Sequence, residues 1–114
     1  MTMVSLEFLA YKIYEMLIYF PDCFRVNVTR KDYVMRFTTR YLKKKLHMMG
    51  VDVKEVKEAK IGYALKLLED FGLIRILEKK HYYCHGTTTR YHVQVLWNSK
   101  AVEQLEHLAK VTSR

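Results

Sequence analysis

Apolar positions in the chain recur with two periods. Between Val56 and Leu77, residues Ile61, Ala64, Leu65, Leu68 and Phe71 fall three or four apart, the spacing of one helical face. Gly72 follows and suits a helix stop, because without a Cβ it takes a left-handed backbone freely. Leu73-Ile74-Arg75-Ile76-Leu77 is rich in branched residues and predicts a strand directly after the helix. Thr87 to Trp97 predicts a second strand, paired with Leu73 to Cys84 in a hairpin whose tip is His85-Gly86. A two-residue turn there sets Ile74 against Trp97, Ile76 against Val95, His81 against Arg90 and Lys80 against Tyr91.

The flanking segments are less regular. Ser5 to Phe20 predicts a helix that is apolar almost all round and ends at Pro21-Asp22. Such a helix needs cover on more than one side, and a second subunit is the expected cover. Phe24 to Val28 alternates as a short edge strand. Thr29 with Asp32 resembles a capping box and predicts a helix running to about Met49, stopped by Gly50. On that helix Val34, Phe37, Tyr41, Leu42 and Met48 lie toward one side, while Arg36, Arg40, Lys43 and His47 form a basic stripe on the other. Asp52-Val53-Lys54-Glu55 is a second capping box, so the next helix is expected from Asp52, with a kink or break near Lys57 to Ala59. Asn98 or Ser99 caps a final helix on which Ala101, Val102, Leu105, Leu108 and Val111 keep a heptad-like spacing.

The run Ala59-Lys60-Ile61-Gly62-Tyr63-Ala64-Leu65-Lys66-Leu67-Leu68-Glu69-Asp70-Phe71-Gly72-Leu73-Ile74 resembles the second helix and first wing strand of winged helix-turn-helix DNA-binding proteins. The resemblance covers roughly Thr29 to Leu96. It implies an α+β winged-helix fold in one domain over residues 1–114. The implied function is sequence-specific binding of double-stranded DNA by a small homodimeric transcriptional regulator. Dimer contacts are then expected in Ser5 to Phe20, in Ser99 to Val111, or in both. Small regulators of this type are common in archaea and their viruses.

Charge strengthens the expectation of a polyanionic partner. The 114 residues carry a net charge of +8. Thr29 to Met49 holds seven cationic residues against Asp32 alone, and Gly72 to Trp97 holds four against Glu78 alone. The face of the later helix opposite its apolar stripe carries Gly62, Tyr63 and Lys66, flanked by Lys57 and Lys60; this is the expected reading surface in the major groove. Arg30, Lys31, Arg36, Arg40 and Lys43 are expected on phosphates. Lys79, Lys80, His81, His85 and Arg90 belong to the wing, touching backbone or minor groove. Glu58, Glu69 and Asp70 oppose this reading, since acids facing DNA would repel phosphates.

Other chemistries fit poorly. His81, Cys84, His85, His92 and Cys23 are metal-ligand types, but their spacing matches no closed zinc site. Cys84 beside His85 has no orienting acid nearby, so neither an enzyme nor a cofactor is expected. Two cysteines suit a reducing compartment, and no apolar run is long enough to span a bilayer. A cytoplasmic, nucleoid-associated protein with no membrane contact and no small-molecule substrate is the expectation. Two alternatives remain: a winged-helix protein-interaction module of a larger assembly, and a non-specific architectural DNA- or RNA-binding protein.

Overall fold

The computed structural model describes residues 4–19, 25–29, 32–54, 56–83 and 88–112. In chain order the elements are α1 (Leu6–Tyr19), β1 (Arg25–Thr29), β2 (Asp32–Thr38), α2 (Thr39–Met48), α3 (Glu58–Asp70), β3 (Ile74–Tyr82), β4 (Thr88–Val95) and α4 (Ser99–Thr112). The strands form one antiparallel sheet in the order β1-β2-β4-β3. This is an α+β architecture compatible with a winged helix. Buried Met35, Phe37, Tyr91, Val93 and Ile74 mark the sheet face that meets the helices. Among the described residues, no helix is long and apolar enough to cross a membrane.

Residues 32–38 overturn the helix expected from Thr29. Tyr, Val, Phe and Thr favour a pleated strand, and Met35 and Phe37 are buried on either side of exposed Arg36. Asp32 therefore pairs with Thr29 across two strands instead of capping a helix. The cap lies further on, where Tyr41 N donates to Thr38 Oγ1 at 3.0 Å. On α2 the buried side chains are Thr39, Leu42 and Leu46, and Met48 is exposed. Val34 and Phe37 belong to the sheet, and so does Arg36, which leaves Arg40, Lys43 and His47 of the basic stripe on the helix.

Both glycine stops hold. Gly50 has φ 85° and Gly72 has φ 75°. Val51 N donates to the Leu46 carbonyl and Gly50 N to that of His47; Leu73 N donates to Leu68 and Gly72 N to Glu69. Each helix thus ends in a Schellman motif. The connection between α2 and α3 is longer than expected. Asp52 Oδ1 accepts from Lys54 N at 3.1 Å within a turn. Val51, Val53 and Val56 plug the core, and α3 begins only at Glu58.

Helix α1 is covered on more than one side, as its composition requires, but within the chain. It packs against both α3 and α4, which buries Leu9, Ala10, Ile13, Tyr14, Met16 and Leu17. Ser5 Oγ accepts from Phe8 N and caps α1, while Asn98 Oδ1 accepts from Ala101 N and caps α4. The inward stripe of α4 is Ala101, Leu105 and Ala109, so the heptad reading placed Val111 wrongly: it is exposed.

The β3–β4 pairing is Ile74↔Val95, Ile76↔Val93, Lys79↔Tyr91, Lys80↔Arg90 and His81↔Thr89, one to two residues away from the two-residue-turn register. The tip itself, with Cys84, His85 and Gly86, lies outside the described residues, as do Cys23, Arg30 and Lys31. A bulge between Ile76 and Glu78 leaves Leu77 out of the ladder. Its consequence is a change of parity. Ile76 and Lys79, three apart, now face the same side, so Lys79 and His81 point toward the helices. Lys80 and Tyr82 point away.

Candidate nucleic-acid interface

One carboxylate joins three elements. Glu58, the first residue of α3, accepts at Oε1 from Thr39 Oγ1 at 2.6 Å and from Thr88 Oγ1 at 3.0 Å. Thr89 N donates to Thr39 Oγ1 at 3.3 Å, and Arg40 N donates to Thr88 Oγ1 at 3.4 Å. The starts of α2, α3 and β4 therefore meet at a single charge-assisted cluster built around Thr39, which is only 3% exposed. This sets the angle between α3 and the hairpin. Neither Thr39 nor Thr88 stood out in the sequence. The available signal was the Thr38-Thr39 pair at a strand-to-helix boundary, hidden by the earlier capping-box reading.

At the other end of α3, Glu69 Oε2 accepts from Ile76 N at 2.8 Å and Oε1 accepts from Lys66 Nζ at 3.1 Å. The Ile76 amide, with Lys66 second, holds the Glu69 carboxyl below its ordinary pKa. Lys66 also lies 3.6 Å from Asp70, and its ammonium is held above its ordinary value, chiefly by the Glu69 hydrogen bond. The acids that seemed to oppose DNA contact thus have other work: Glu58 and Glu69 fasten α3 to the sheet at its two ends.

Between these fastenings, α3 and the inner face of the hairpin enclose an open groove of about 660 Å³. Tyr63 rises on the α3 side and is 67% exposed. Across from it, the Lys79 ammonium sits 5.8 Å from the ring centre of Tyr91, and His81 Nδ1 lies 2.9 Å from Thr89 Oγ1. Gly62 lets the floor close: a Cβ at that position would stand 3.2 Å from the Tyr91 hydroxyl. Its small size serves the contact with the sheet, where the sequence suggested a close approach to a nucleic-acid groove.

The sequence-selected residues therefore separate into groups. Tyr63, Lys66, Lys79 and His81 line the groove together with Gly62, and Lys57 is exposed at the N-cap of α3. Lys60 is not free on this face, because its Nζ donates to the Val4 carbonyl and ties the start of the chain to α3. Arg40 is exposed and Lys43 half-buried on α2. Arg36, Lys80 and Arg90 fall on the sheet face that, among the described residues, no helix covers. Among the described residues, no three His, Cys, Asp or Glu side chains come together as a metal site. Comparison of the chain with protein-family models, curated proteins and solved structures finds no match.

Proposed function

We propose that the chain is a winged helix-turn-helix protein that binds double-stranded DNA as a small homodimeric transcriptional regulator. The observation that carries this reading is the groove with exposed Tyr63 on one wall and, on the other, Lys79, which has no acid partner among the described residues. In it α3 enters the major groove, and Tyr63 reaches base edges from a helix surface that Ala59 keeps low. Lys57 and Lys79 meet phosphates on either side, and Arg40 adds a contact from α2. The excess of basic residues raises affinity for any duplex, while Tyr63 supplies preference. Tyr19 and Trp97, 69% and 63% exposed, are apolar surface that a second copy would cover. The nucleoid is the setting that follows.

Selection from random duplexes tests the reading. Tyr63→Ala is expected to relax the preference for the selected site over random duplex, and Lys79→Gln to weaken both about equally. Failure of any duplex to bind, or an unchanged preference in Tyr63→Ala, refutes it.

A second reading is a sequence-tolerant DNA binder. It draws on the engagement of Lys60 by Val4 and of Lys66 by Glu69 and Asp70, which leaves fewer side chains to read bases. It expects selection to yield no consensus.

A further inference from the structure

The sheet has a second basic face. Alternate residues of a strand point to opposite sides, and the face away from the helices carries Arg36, His92 and Glu78 in one cross-strand row. The next row is Thr38, Arg90 and Lys80. Arg90 and Lys80 both lean over the Tyr82 ring, at 5.0 and 5.6 Å from its centre. Among the described residues, no acid pairs with Arg36, Lys80 or Arg90. Glu78 lies 3.8 Å from His92 Nδ1. Among the described residues the buried Arg90 Nε has no hydrogen-bond partner.

Like charges on neighbouring strands destabilise a sheet. Three unpaired cations on adjoining strands therefore work against folding, and a polyanion relieves that repulsion by occupying the face. The parity change at the Leu77 bulge matters here as well. Alternation alone sends the consecutive Lys79 and Lys80 to opposite sides, and the bulge decides which goes where: Lys79 to the groove and Lys80 to the uncovered face. A single duplex seated against α3 meets the first of these sides.

We propose that the uncovered sheet face holds the phosphate backbone of a second DNA duplex, so that the protein bridges two duplexes, one on each side of the hairpin. This rests on the groove binding the first duplex, and the two claims have separate readouts. One duplex is fixed to beads, the full-length protein is added, and capture of a second, fluorescent duplex is measured. Anisotropy reports single-duplex affinity in parallel. The wild type is expected to capture the second duplex. The double substitution Arg36→Gln with Lys80→Gln is expected to cut capture at least tenfold and to shift single-duplex affinity by less than threefold. Arg90 is left in place there to keep its packing on Tyr82. Glu78→Gln, which removes the acid from the same face, is expected to raise capture.

Absence of capture by the wild type overturns the proposal. So does capture that survives the double substitution, since bridging would then come from two groove sites of a dimer. Equal loss of single-duplex affinity and capture in the double variant also overturns it, because the face would then belong to the first duplex. The groove reading falls separately, if Tyr63→Ala with Lys79→Gln leaves single-duplex affinity unchanged.

Discussion

Replacing Glu58 tests how the groove is held open. In Glu58→Ala, Thr39 and Thr88 lose their common acceptor. Hydrogen bonds to a charged group contribute about 1.5–3 kcal/mol each when buried. Glu58 is half-buried, and the two threonine hydroxyls lie 3.3 Å apart, close enough to bond to each other once the carboxylate is gone. The expected net loss is about 2–3 kcal/mol, including some of the roughly 0.3–1 kcal/mol an acid contributes in the first turn of a helix. For a domain of this size that lowers Tm by about 8–12 °C. Glu58→Gln keeps a carbonyl acceptor and is expected to lose about 1 kcal/mol. It also removes a negative charge from the groove, and a charge about 8 Å from a phosphate in water amounts to about 0.5 kcal/mol, so duplex affinity should rise roughly twofold. Calorimetric melting of both variants, with anisotropy on Glu58→Gln, measures these effects. A Tm for Glu58→Ala within 2 °C of wild type would refute the structural role. Equal destabilisation by Gln and Ala would show that charge, not acceptance, does the work.

Two further perturbations act on stability alone. Gly72→Ala forces a side chain into a backbone with φ 75°, and urea unfolding should register a loss of about 1 kcal/mol. The depressed Glu69 carboxyl stabilises the fold above the ordinary value of 4.5, and that contribution disappears as pH falls through its folded-state pKa. Glu69→Gln should therefore cost stability near neutrality, and its difference from wild type should shrink in urea titrations taken into the acid range.

Local signals that agree with each other could be read from the sequence. The α3 stripe, the Gly72 stop and the strand after it reinforce one another, and the structure contains all three. Residues 32–38 misled because Val34, Phe37 and Tyr41 fit a helical spacing while Met35 and Phe37 fit an alternating one. The helical choice pulled Arg36 off the sheet. The β3 bulge has no composition cue, since Leu77 continues an apolar run. Without it, alternation from Ile76 would place Lys80 toward the helices and Lys79 and His81 away; with it, Lys79 and His81 face the groove and Lys80 joins Arg90 on the opposite side. Lys60 and Lys66 look free in the sequence because nothing local indicates a contact with Val4, and Glu69 and Asp70 weigh there as acids repelling phosphates, not as partners of Lys66.

The salt dependence of duplex binding puts the groove to its most direct test. Among the described residues Lys79 faces the groove without an acid partner, whereas Lys66, on the same groove, is already neutralised by Glu69 and Asp70. Each phosphate contact adds about 0.9 to the steepness of log affinity against log salt. If the groove seats the duplex, Lys79→Gln lowers that slope by about 0.9 and Lys66→Gln leaves it nearly unchanged. A slope that Lys79→Gln does not alter, with duplex binding intact, would mean that DNA is held somewhere else on the molecule.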